Sequence, residues 1–267
     1  RWSHSASGGG FGDGMLNISG YYFNYRGSPY IARARSAGLP YTGWAGFSQA
    51  YNPPGRFRRL VLLAAKYNLR VNTIVRDQLD EVLRIFEEVH QEIPISSRRW
   101  TLGHTRDATA GELERIRNLG LVVETIPLTE LWLRGRPLLD SPESAGQAAA
   151  HKTYLEYGIP FGFGTDNKPY NPFVTLWSAV TRQERHTNHV LGPEQCLSRL
   201  EALRAFTLGG AYFSFDEGRR GSLEPGKLAD LAVLSGGFLE IADDAIPELR
   251  SVLTMVGGKV VHQNEGL

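Results

Sequence analysis

Short apolar runs alternate with amphipathic stretches through the middle of the chain. Residues 56–67 (RFRRLVLLAAKY) predict a helix and residues 69–75 (LRVNTIV) a strand. Residues 78–90 place Leu79, Val82, Leu83, Ile85, Phe86 and Val89 near helical spacing, and residues 99–105 (RWTLGHT) predict a second strand. Thr109 and Glu112 match a capping box, in which hydroxyl and carboxylate satisfy free N–H groups at a helix start. That helix should run to about Asn118 and stop at Gly120. Residues 121–126 (LVVETI) give a third strand, halted by Pro127, and residues 159–165 (IPFGFGT) a fourth. Single helices are expected over residues 144–157, 173–184 and 193–206. Near-continuous apolar strands alternating with helices indicate an α/β fold with a parallel sheet under helices.

The pattern changes after about Phe215. Residues 228–234 and 251–262 read as strands, and Gly257-Gly258 inside the second is a β-hairpin signal. The chain therefore closes on a small β-rich unit.

Composition narrows the class. With 42% hydrophobic and 21% charged residues, the 267-residue chain is neither disordered nor fibrous. Twenty-nine basic against 28 acidic residues leave a net charge of +1, so the totals carry no nucleic-acid footprint. No apolar run is long enough for a transmembrane helix. Cys196, the single cysteine, falls inside the helix expected over 193–206; it excludes an intrachain disulfide and fits a reducing, cytoplasmic setting. The opening residues 1–10 hold no apolar signal-peptide core and no initiator Met, and read as an incomplete start.

Parallel strands under helices place reactive groups at their C-terminal ends. Asn72 lies within the first strand, His104 near the end of the second, Glu124 and Thr125 near the end of the third, and Asp166 just past the fourth. One imidazole and one carboxylate suit a metal site or a general acid–base pair. A buried, hydrogen-bonded His104 and a turn-capping Asp166 fit the spacing equally well. Arg76 and Asp77 either meet a substrate carboxylate or pair on the surface. Trp44, Phe47 and Tyr51 fall in a stretch with the composition of a lid.

A longer signature lies downstream. Gly164-Thr165-Asp166, Pro172-Phe173, Ala179-Val180-Thr181-Arg182, Glu201-Ala202-Leu203 and Gly210-Ala211 lead to Gly221-Ser222-Leu223-Glu224-Pro225-Gly226-Lys227-Leu228-Ala229-Asp230-Leu231. Thr254-Met255-Val256-Gly257-Gly258-Lys259-Val260 then closes the series. This succession resembles the C-terminal part of the metal-dependent amidohydrolase superfamily, in its YtcJ-like (amidohydrolase 3) branch. Upstream, Phe11-Gly12-Asp13-Gly14 resembles the run after the fourth strand of that family's barrel.

The resemblance implies a (β/α)8 barrel of the TIM type, of which this chain carries strands four to eight over residues 1–215, and a sandwich portion over residues 216–267. It implies hydrolysis of an amide or cyclic amide C–N bond in a small-molecule substrate. Water is activated by one divalent metal ion, zinc by expectation, and the strand-eight carboxylate moves the proton. By position Asp166 matches that carboxylate and also serves as metal ligand, His104 matches the sixth-strand histidine ligand, and Asn72 occupies the fifth-strand histidine position. Gly9 stands where the family often has lysine, and Gly103 where it often has glutamate. One metal or none is therefore expected. The missing strands are expected from a longer parent protein, with a partner segment or a second copy as the other sources. The substitutions at Asn72 and Gly9 also fit a non-catalytic relative acting as a ligand-binding or regulatory module. A metal-free enzyme with Asp166 as base and His104 as acid is the third reading.

Overall fold

The computed structural model describes residues 11–12, 17–18, 20–26, 52–75, 78–105, 107–166 and 171–264. It divides into two compact units, residues 1–122 and 123–267.

In the first unit β1 (Phe11–Gly12) and β2 (Asn17–Ile18) form an antiparallel pair, and β3 (Tyr21–Tyr22), β4 (Val71–Ile74) and β5 (Thr101–Gly103) run parallel. Helices α1 (Pro54–Lys66), α2 (Leu79–Glu92) and α3 (Ala110–Asn118) accompany them. Along β4 burial alternates: Val71 and Thr73 are buried while Asn72 is exposed, as the two-residue period of a strand requires. The core is an aromatic ladder. Tyr25 meets Phe57 edge-on at 5.1 Å, Phe57 stacks on Phe86 at 6.1 Å, and Phe86 meets Trp100 edge-on at 4.9 Å. Each ring adds roughly 0.5–1.5 kcal/mol to its burial through such geometry. Thr109 and Glu112 form the expected capping box of α3. Arg115 on α3 ties down α2 by bonding Glu87 at 2.7 Å and Asp80 at 2.7 Å.

The second unit begins within β6 (Val122–Thr125), which pairs in parallel with β7 (Phe161–Phe163): Val123 opposite Phe161, Glu124 opposite Gly162, Thr125 opposite Phe163. The parallel strands follow the order β3-β4-β5-β6-β7. After β6 come a π-helical turn at Leu128–Leu133, a 3-10 turn at Arg136–Asp140, and α4 (Pro142–Gln147), α5 (His151–Glu156) and α6 (Pro172–Thr181). Next in the chain are α7 (Arg199–Arg204), a second π turn and α8 (Gly210–Phe213). A separate antiparallel sheet, β8 (Leu231–Leu234), β9 (Ser251–Val256) and β10 (Lys259–Gln263), ends the described chain. Gly257 and Gly258 have φ of 56° and 78°, the left-handed pair that a two-residue hairpin turn demands. Asp230 Oδ1 accepts from Gly257 N at 2.7 Å, so the long glycine-rich signature is spent on shaping this sheet.

Two expected helices are broken. The helix over 144–157 divides into α4 and α5 because the buried Arg182 guanidinium takes the carbonyls of Ala145, Ala148 and Ala149 at 2.7–3.0 Å. The helix over 193–206 is interrupted because Ser198 and Glu201 form a fresh capping box that restarts it at Arg199. Cys196 accordingly lies between a 3-10 turn and α7, not inside a helix. Two elements have no counterpart in the sequence pattern, β3 and the π turn at Leu128–Leu133. Among the described residues no helix is long and apolar enough to cross a membrane.

Candidate active site

In the first unit two of the sequence-derived residues lie on or just after adjacent strands. Asn72 on β4 pairs in register with Tyr22 and Thr101, and its side chain is exposed. Two residues earlier, the Arg70 guanidinium is buried and donates to Thr101 Oγ1 at 2.6 Å and to the Arg99 carbonyl at 3.0 Å. Burial, with Arg99 nearby, lowers the Arg70 pKa to about 10, so it stays charged at neutral pH. His104 comes directly after β5. It is half-buried and its φ is 54°. A left-handed backbone costs a non-glycine residue about 1–2 kcal/mol, and it is sustained only where the surroundings over-determine it. Val75 N bonding Gly103 O at 3.0 Å and Thr105 Oγ1 bonding Leu102 O at 3.3 Å hold the strand end on either side of it.

In the second unit β6 presents two chemically different faces. Thr125 is buried, and its Oγ1 lies 3.0 Å from His151 Nε2 on α5. The His151 ring stacks on Phe161 at 5.5 Å and meets Phe163 edge-on at 5.1 Å. Burial, and then the charge of Arg182, hold the His151 pKa well below its ordinary value, so the ring is neutral. Glu124, next in the strand, faces the other way and is half-buried. Its carboxylate lies over Gly164: a Cβ built there would stand 2.2 Å from Glu124 Oε1. Asp166 comes two residues later, exposed, with φ of 55°. Thr165 Oγ1 donates to the Asp166 carbonyl at 3.2 Å.

Both candidate residues placed after strands, His104 and Asp166, therefore share a left-handed backbone close behind the strand end. Sequence reasoning misses the Thr125–His151 pair and the Glu124–Gly164 contact. The available signal for the second is a glutamate inside an otherwise apolar strand opposite a Gly-x-Gly alternation. Trp100 is wholly buried, with its indole N–H on the Leu69 carbonyl at 3.0 Å, so it belongs to the core. Burial pushes the Cys196 thiol pKa up, away from nucleophilic character. Gly9, Asp13, the Arg76–Asp77 pair and the segment with Trp44, Phe47 and Tyr51 lie outside the described residues. Among the described residues no group of three or more His, Cys, Asp or Glu side chains is placed to hold a metal ion.

The family profile described as "Amidohydrolase family" matches residues 7–262. The chain belongs to the amidohydrolase family. Within it the chain falls in the amidohydrolase 3 branch, as its similarity to YtcJ of Bacillus subtilis (strain 168) shows: 32% identity over 122 residues, 43% of this chain and 23% of YtcJ. An N-substituted formamide deformylase of Arthrobacter pascens is 25% identical over 215 residues, 74% of this chain and 37% of the relative. Among solved structures, a metal-dependent hydrolase of Pyrococcus horikoshii OT3 superposes with a TM-score of 0.66 at 21% identity, covering 88% of this chain and 48% of the other. This amidohydrolase chain thus spans 23 to 37% of the length of the two curated relatives and about half of the solved one.

Proposed function

We propose that the chain is the C-terminal part of a metal-dependent hydrolase that cleaves the C–N bond of an amide or cyclic amide in a small-molecule substrate. The observation that carries this reading is Asp166, a carboxylate held in a left-handed turn at the end of a parallel strand, in a chain matched to the amidohydrolase family almost throughout. In this reading β3 to β7 are strands four to eight of a (β/α)8 barrel in a cytoplasmic enzyme. The remaining strands come from another part of the protein or from a second copy. Asp166 accepts the proton of the attacking water as the C–O bond forms, and returns it to the nitrogen as the C–N bond breaks, giving a carboxylic acid and an amine. The deformylase of Arthrobacter pascens makes N-substituted formamides the first substrates to try.

The fit to a metal is partial. His104 and Asp166 are donor types that zinc accepts, but a catalytic zinc needs three protein ligands, and the described residues hold no such group. The proposal therefore draws its remaining donors from outside them. Elemental analysis of the full-length protein, prepared without chelator, tests this. About one divalent ion per chain, lost in His104→Ala, supports it. A folded, metal-free protein moves the conclusion to a non-catalytic relative that binds a ligand, a reading favoured by the exposed amide of Asn72 where an imidazole is expected.

A further inference from the structure

A glutamate within a parallel strand is out of place. The strand and its surroundings read LVVETI, and Val122, Val123, Thr125 and Ile126 are all buried. Glu124 keeps its carboxylate on the face opposite to Thr125, and the space it uses exists because residue 164 has no side chain: the Cβ position there is 2.2 Å from Glu124 Oε1 and 3.3 Å from Ile126 Cγ1. The same glycine donates its N–H to the Thr125 carbonyl at 2.8 Å, the last rung between the two strands. Consecutive residues of β6 thus hold Gly164 twice, Thr125 by its carbonyl and Glu124 by its carboxylate. Thr125 is itself fixed by His151. Beyond Gly164 the chain enters the turn of Asp166, whose left-handed φ costs energy unless its approach is restrained from several sides.

We propose that Glu124 is a positioning residue for Asp166: packed on the backbone of Gly164, it fixes the turn that presents the Asp166 carboxylate. This rests on the reading of Asp166 as the proton acceptor. The contact acts by shape, so a side chain of the same outline serves and a shorter one does not. A displacement of about 1 Å at a reacting group lowers a rate by as much as about 100-fold.

The test is a double-mutant cycle in the full-length protein, read on amide hydrolysis and on backbone hydrogen exchange at Thr165 and Asp166. Glu124→Ala should lower kcat roughly 10- to 100-fold with KM changed less than about twofold, and should speed exchange at both amides. Glu124→Gln should restore most of the rate and the protection. Gly164→Ala should behave like Glu124→Ala, and the double variant should be no worse than either alone, because both break one contact. Glu124→Ser is the second truncation should the alanine variant fold poorly. Unchanged kcat and exchange in the truncations overturns the proposal. So do effects that multiply in the double variant, or a rise in KM alone, which makes Glu124 a substrate contact. Should the protein hydrolyse no amide, the proposed function fails, while the exchange measurement still decides whether Glu124 fixes the turn.

Discussion

Thr125 Oγ1 and His151 Nε2 lie 3.0 Å apart in a wholly buried pair that links the end of β6 to the start of α5. The pair requires a neutral imidazole, and burial keeps it so. With the folded pKa depressed below the unfolded value of about 6.5, the unfolded chain binds a proton that the folded chain refuses. Stability from this group is present above pH ~6.5 and is lost as the pH falls toward the folded pKa, by up to about 1.4 kcal/mol per pH unit. Urea midpoints measured between pH 8 and pH 5 should therefore fall more steeply for the native protein than for His151→Asn, whose amide does not titrate. Parallel curves contradict the assignment.

Arg182 is the second buried device. Its guanidinium donates to four backbone carbonyls, those of Leu191, Ala149, Ala145 and Ala148, and burial lowers its pKa to about 10, leaving it charged at neutral pH. Arg182→Ala should cost about 3–5 kcal/mol by urea unfolding, since it leaves several buried carbonyls without donors. Arg182→Lys should recover little of that, because a point charge on a flexible stem cannot reach carbonyls spread around a planar fork.

These two devices show where sequence reading stops. The parallel strands are legible from apolar runs, the cap at Thr109 from its spacing to Glu112, and the final hairpin from Gly257-Gly258. Those are local signals, each contained within a few residues. The break between α4 and α5 is not legible, because its cause is a guanidinium 33 residues from Ala149. The apolar pattern runs through Cys196 as it would through a helix, while Ser198 and Glu201 close a new cap just beyond. At the candidate site, the positions of His104 and Asp166 after strands can be read directly. Their left-handed backbones cannot, nor can the Glu124–Gly164 contact, which depends on the register of β6 against β7.

The hairpin makes a separate prediction. Gly257 has φ of 56° and open space where a Cβ would go, so a substitution there is strained by backbone alone. Gly257→Val should cost about 1–2 kcal/mol, and Gly257→Asn less, because asparagine tolerates the left-handed region. Thermal unfolding of the two variants should rank them in that order.

The aromatic ladder of the first unit should respond to truncation at its centre. Phe86, wholly buried between Phe57 and Trp100, should cost about 3–5 kcal/mol as Phe86→Ala and distinctly less as Phe86→Leu, measured by denaturant unfolding at constant slope.

The role of Asp166 is tested most directly by steady-state hydrolysis of an N-substituted formamide by the full-length protein and by its Asp166→Asn variant. The account predicts that the native protein releases formate and amine in equal amounts, and that Asp166→Asn lowers kcat at least about 100-fold while KM changes little. Hydrolysis that continues undiminished in Asp166→Asn would contradict it.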